Sequence, residues 1–145
     1  MDCGYKEHDN EGDKMKHERR KVDPIAAKIK KAERRWLFAG IKDISGKPLT
    51  WNTYEEVKRL QDNKCAICER NSLWGELQVD HDHRTGLFRG LLCVDCNHYA
   101  VGTFERTGKY KDKKMEDAIR EYLDNPPYRK YCVYKEGIPI AEVVR

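Results

Sequence analysis

Val22, Ile25, Ile29, Ala32 and Trp36 follow one another at spacings of 3, 4, 3 and 4. That is one apolar stripe on an α-helix. Asp23-Pro24 predicts its start, an N-cap followed by proline at the first helical position, and Gly40 predicts its end. Lys28, Lys30, Lys31, Arg34 and Arg35 occupy the rest of the helix. Two heptads are too few for a coiled coil, so the stripe is expected to pack on the core or on a partner subunit. Ser45-Gly46-Lys47-Pro48 reads as a loop. A second helix is predicted from Thr53 to Asp62, because Thr53 and Glu56 have the spacing of a capping box. Leu77 to His83 and Leu87 to Leu92 read as two strands around the compact turn Arg84-Thr85-Gly86. A helix is expected from Val94 or Asp95. Another runs from Lys114 to Asp124 and ends at Asn125-Pro126-Pro127. Tyr128 to Arg145 is expected to be extended. No internal repeat is visible.

Composition narrows this outline. Of 145 residues, 39% are apolar and 37% are charged, against about 25% charged in an ordinary domain. One modest core is expected. The organisation it suggests is a polar arm (1–21), a basic helix and loop (22–48), a folded domain (49–124) and a tail (125–145). No apolar run approaches the roughly 18 residues of a membrane span, so no membrane role is expected. The first twenty residues lack the apolar centre of a secretory signal, so a reducing cytoplasmic setting is expected. There, six cysteines argue for metal ligation before disulfides. The net charge of +4 is unevenly spread: Met1 to Asp13 holds one Lys and five acids, and Lys14 to Lys42 eleven basic residues and three acids. A concentrated positive stretch suits phosphate, although a solvated helix face has the same composition.

Cys65-Ala66-Ile67-Cys68 and Cys93-Val94-Asp95-Cys96 are two CxxC pairs with 24 residues between them. Each pair offers two sulfurs from one tight turn, and four thiolates close a tetrahedral shell around Zn²⁺. A redox CxxC would not need the second pair. A structural zinc also supplies folding energy to a small polar chain. Cys3 and Cys132 lie outside the pattern and read as free thiols. A second site of Cys3, His8 and His17 is the weaker alternative.

Between the pairs stands Val79-Asp80-His81-Asp82-His83-Arg84-Thr85-Gly86, followed by Arg89-Gly90-Leu91-Leu92-Cys93 and Cys96-Asn97-His98. Aspartate is a poor strand former. An Asp-His-Asp-His run therefore points to metal binding or proton transfer, and the competing reading is a set of exposed or supporting side chains. Strict alternation puts His81 and His83 on one face and Asp80 on the other. Asp80 and His81 serve one site only if the strand is twisted, bulged or ending there.

These motifs resemble the recombination endonuclease VII family, a branch of the His-Me finger (HNH-like, ββα-metal) nucleases. The resemblance rests on the first CxxC, the DHDHxTG hairpin, the RGLLC strand and the closing CxxCN. Gly102 and Ala118-Ile119-Arg120-Glu121-Tyr122-Leu123 extend it, and it covers roughly Leu49 to Leu123. It implies an α+β fold, a small zinc-stapled ββα-metal core with flanking helices. It implies Cys65, Cys68, Cys93 and Cys96 as structural zinc ligands. By resemblance Asp80 and Asn97 are the ligands of a catalytic Mg²⁺, with Mn²⁺ as a substitute. His81 is then the general base, and His83 lies near the scissile phosphate. The reaction implied is hydrolysis of DNA phosphodiesters, leaving a 5′-phosphate and a 3′-hydroxyl, in a protein of phage or bacterial type. Ala100 stands where some members carry a further acidic residue. Junction-cleaving members dimerise through helices after the zinc knot, and this chain is short on that side. Both a homodimer and the preference for branched DNA therefore stay open.

For DNA contacts the residues singled out are Arg84 and Arg89 on the hairpin, Lys28, Lys31, Arg34 and Arg35 on the first helix, and Lys109 and Lys111 in the later basic tract. Two alternatives accompany the junction nuclease: a duplex-nicking HNH-like homing or restriction-type enzyme, and a non-catalytic zinc-ribbon module that binds DNA.

Overall fold

The computed structural model describes residues 21–71, 75–135 and 137. The arm with Cys3, His8 and His17 and the last eight residues lie outside the described residues. The elements in chain order are α1 (Pro24–Phe38), α2 (Trp51–Leu60), β1 (Gln78–His81), β2 (Phe88–Leu92), a π-helical turn (Cys96–Val101), α3 (Gly102–Thr107), α4 (Lys113–Asp124) and α5 (Pro127–Lys135). The result is a small mixed α+β fold around one antiparallel pair of strands.

Helix α1 begins as its sequence predicts, with the Ile25 N–H donating to Asp23 Oδ1 at 3.0 Å and Pro24 in the first turn. Its stripe is only half used. Ala32 and Trp36 are buried, whereas Val22 and Ile25 are 70% and 68% exposed. The N-terminal part of the helix therefore runs beyond the core. Helix α2 starts two residues before the expected Thr53, because Thr50 is the cap and its hydroxyl accepts the Thr53 N–H at 3.4 Å. Trp36 of α1 stacks with Trp51 and Tyr54 of α2, at ring separations of 5.9 and 5.4 Å. The Tyr54 hydroxyl donates to the Leu77 carbonyl at 2.9 Å and ties this aromatic cluster to the approach to β1.

The hairpin forms around Asp82 to Gly86. Asp82 Oδ1 accepts the Arg84 and Thr85 N–H groups at 2.7 and 3.3 Å, which closes an Asx-type turn. Gly86 sits at φ +78°, and a Cβ there would lie 2.3 Å from the Gly40 carbonyl oxygen. Only glycine satisfies both conditions. On β2, Phe88, Leu91 and Leu92 are fully buried. Gln61, just past α2, finishes the open edge of β2: its amide donates to the Leu91 carbonyl and its oxygen accepts the Leu91 N–H, at 2.8 and 2.9 Å.

The expected extended tail is corrected over its first part. Pro126-Pro127 ends α4 but also starts α5, since proline fits the first turn of a helix. Tyr128, Tyr131 and Cys132 then fall on one face and are buried. Tyr128 accepts the Ile44 N–H at 2.9 Å, and its ring meets Phe88 at 4.9 Å. Helix α5 thus covers β2 from outside. No helix among the described residues is long and apolar enough to cross a membrane.

Candidate active site and metal centre

The two CxxC turns meet. The ligand atoms of Cys65, Cys68, Cys93 and Cys96 all lie within 4.8 Å of one another, with Cys68 Sγ and Cys93 Sγ 3.8 Å apart. A tetrahedron of sulfurs about 2.3 Å from a zinc ion has edges of about 3.8 Å, so the set fits that ion. Its electrostatics say the same. The Cys96 thiol hydrogen-bonds to Cys65 and holds it down, to about 4, while that contact and burial push Cys96 well up. Four crowded sulfurs cannot all ionise beside one another unless a cation joins them. The Ala66 N–H donates to the Leu91 carbonyl at 3.2 Å and seats the first turn on β2.

The second turn leads into the π-helical segment, whose widened turn begins at Cys96-Asn97. π-helical turns are frequent at functional sites. The Asn97 amide donates to Gln78 Oε1 of β1 at 3.0 Å, which leaves its oxygen available as an acceptor. A groove of about 650 Å³ opens here, and His81, Asn97 and His98 line it together with residues of α1 and α2. His81 is half-buried and its ring stacks on His83, with centroids 4.8 Å apart. Burial and then the neighbouring His83 push the His81 imidazole below its ordinary pKa, against a pull from Asp80.

Asp80 takes the other face of β1. Pairing runs Asp80 with Gly90 and His81 with Phe88, so Arg89 is the extra residue of a bulge in β2. The bulge swings Arg89 onto Asp80: Nε donates to Oδ2 at 2.8 Å and an η nitrogen to Oδ1 at 3.0 Å. The Tyr122 hydroxyl of α4 donates to the same Oδ2 at 2.7 Å, and Asp80 is 2% exposed. Arg89 also reaches Glu105 Oε1 at 2.7 Å. Burial alone would lower the Arg89 pKa, but its bonds to Asp80 and Glu105 outweigh that and raise it. Close approach of β2 to α4 and α5 requires Gly90, where a Cβ would stand 3.0 Å from Pro127 Cδ and 3.2 Å from Tyr122 Cε2. As a ligand atom the Asn97 oxygen suits a hard divalent cation, and so does a carboxylate oxygen of Asp80. But Oδ1 is held by Arg89 and Oδ2 by Arg89 and Tyr122, so Asp80 joins Asn97 only on release from Arg89.

The predicted residues are therefore divided. His81 and Asn97 share the groove, His83 stacks at its edge, and Asp80 is held behind the strand. Lys28 and Arg35 line the same groove, whereas Lys31 and Arg34 do not. Arg84 is exposed on the turn, Arg89 is committed to Asp80 and Glu105, and Lys109 and Lys111 are exposed beside Tyr99 and Tyr110. Sequence reasoning missed Tyr122, Gln78, Glu76 and His98 as members of the site. His98 directly follows the CxxCN motif, and that adjacency was its signal.

Comparison with known proteins agrees with the motifs. The Gene 59 protein of Mycobacterium phage L5 is 39% identical over 80 residues, and that of Mycobacterium phage D29 is 46% identical over 80 residues. Each alignment covers 54% of this chain and 46% of the relative, so the chain spans about half the length of the curated relatives it matches. No solved structure matches it. The family model of recombination endonuclease VII matches residues 40–125, from just after α1 through α4. The chain belongs to the recombination endonuclease VII family.

Proposed function

We propose that this chain is a metal-dependent DNA endonuclease with a His-Me finger (ββα-metal) core. The observation that carries the reading is the groove in which His81 of the hairpin and Asn97 of the π-helical turn meet, directly beside the four-cysteine cluster. His81 is neutral near pH 7, because burial and His83 lower its pKa. It takes a proton from a water molecule as the water oxygen bonds to phosphorus and the bond to the 3′ oxygen breaks. The products carry a 5′-phosphate and a 3′-hydroxyl. His83 is exposed at the groove edge and donates a hydrogen bond to the phosphate. The Asn97 oxygen would hold Mg²⁺, or Mn²⁺ as its substitute, and Asp80 would join it as a ligand on release from Arg89. The cation would neutralise phosphate charge. The cysteines hold zinc. Branched DNA is the substrate the family resemblance favours, and an intact duplex that the enzyme nicks is the competing one. A homodimer has its support in the exposed apolar residues Ile25, Leu37 and Phe38 of α1 and Val22 just before it.

One observation favours a second reading. Arg89 and Tyr122 already engage Asp80, as in a zinc-stapled module that binds DNA without cutting it. The test is a cleavage assay in Mg²⁺ on linear duplex, supercoiled plasmid and a four-way junction, comparing the native chain with His81→Ala. Cutting by the native chain alone supports the nuclease, and the ranking of substrates separates junction resolution from nicking. Folded, zinc-loaded protein that binds DNA and cuts none of the three supports the module.

A further inference from the structure

Helix α1 lies outside the segment matched by the family, yet it forms a wall of the groove that holds His81 and Asn97. Two of its basic residues, Lys28 and Arg35, line that groove. They stand seven residues apart, two helical turns, on nearly the same bearing, and Lys31 lies between them along the axis, about 60° round the helix from Lys28 and outside the groove lining. At 100° per residue, Lys30 and Arg34 are turned at least about 100° from both Lys28 and Arg35. The row also borders the buried Ala32–Trp36 side, so the packing of Trp36 on Trp51 and Tyr54 fixes its position. Arg35 has no acidic partner among the described residues. Lys28 pairs with Glu76, which lines the same groove; both side chains are substantially exposed, 58% and 43%.

From this arrangement we infer that α1 is a strand-gripping wall in which Lys28 and Arg35, with Lys31 flanking them at the rim, hold the DNA phosphodiester backbone beside the cleavage groove, and that Glu76 occupies Lys28 until a phosphate displaces it. The inference rests on the reading of the groove as a DNA site. Its ligand chemistry is a run of phosphates. Successive phosphates on one strand are about 6–7 Å apart, and one helical turn advances about 5.4 Å, so a two-turn basic row can meet consecutive phosphates. Such contacts are independent of base sequence and release counterions.

The experiment measures fluorescence anisotropy of a labelled 20-base-pair duplex and of its single strand, with full-length zinc-loaded protein and no added Mg²⁺, over a series of salt concentrations. The combined Lys28→Ala, Lys31→Ala and Arg35→Ala variant is expected to weaken duplex binding at least tenfold near 100 mM salt. Its slope of log K against log salt should flatten by roughly 0.9 for each phosphate that the variant no longer neutralises. Lys30→Ala with Arg34→Ala, on the other side of the same helix, is expected to change affinity less than threefold. Glu76→Gln is expected to tighten binding severalfold, a direction that damage to the fold does not produce. Equal losses from both sides of α1 overturn the proposal, as does an unchanged slope in the triple variant or weaker binding by Glu76→Gln. Failure of the nuclease reading looks different: the native chain shows these binding effects but cuts no substrate. Cutting at the native rate by the triple variant overturns the wall and leaves the nuclease standing.

Discussion

The two faces of β1 carry neighbouring residues with opposite lives. Asp80 is sealed behind the strand and held by an arginine nine positions away and a tyrosine 42 positions away. His81, one residue on, looks into an open groove and touches chiefly another histidine. The bulge at Arg89 makes this contrast possible, because the added residue lets β2 send a cation to Asp80 without disturbing the side chains that follow. One side of the strand is therefore built for rigidity and the other for access. Substitutions on the two sides should differ in kind: stability losses behind the strand, activity losses in front.

The largest expected effect removes the frame of both faces. Stripping metal with a chelator, or Cys65→Ser with Cys93→Ser, should unfold the domain, since a structural zinc contributes on the order of 10–16 kcal/mol. Loss of the cooperative thermal transition, followed by circular dichroism, checks this, and a retained transition would remove the zinc reading. Next comes the contrast itself. Arg89→Met strands a buried carboxylate and should cost about 3–5 kcal/mol. His81→Ala should cost about 1 kcal/mol or less and reduce cleavage by roughly 10²–10⁴-fold. Urea unfolding and single-turnover cleavage on the same preparations decide it; similar stability losses from both would break the comparison. Tyr122→Phe is smaller, about 1–3 kcal/mol, because it removes one hydrogen bond to a charged group while Arg89 stays in place.

The smallest effect lies far from the groove. Glu116 Oε2 accepts the Tyr110 N–H at 2.8 Å, and that bond, with Arg120 and Lys113 beside it, holds the carboxyl below its usual value. Its contribution is fully present above the ordinary glutamate pKa of about 4.3. It is lost as pH falls through the lower folded value. The Tyr110 amide signal should shift with an inflection below about 4.3, and Glu116→Gln should abolish that inflection.

The parts legible in the sequence were those written in local or repeated spacing. The two CxxC pairs specify their own meeting, and Arg84-Thr85-Gly86 specifies the turn, because the needed φ belongs to Gly86 itself. The sequence also separates Asp80 from His81 by simple alternation. What it does not specify is where a stripe stops finding partners. Ile25 and Trp36 read alike, and only the position of α2 decides that Trp36 is buried and Ile25 exposed. The partners of Asp80 are also tertiary: no spacing connects residue 80 with Tyr122, although Ile119 and Tyr122 mark the inner face of α4. Pro126-Pro127 misleads because proline ends one helix and begins another with equal ease.

The position of the cysteine cluster has a mechanical consequence. The whole hairpin hangs between Cys68 and Cys93, and the sulfurs of both turns lie side by side. Once a metal joins them, a pull applied to α2 and α3 passes from Cys65 to Cys96 through the ion. The 24 residues between the pairs carry none of that load. A pull on those two helices would thus leave His81 and Asp80 in register until the metal–sulfur bonds themselves give way.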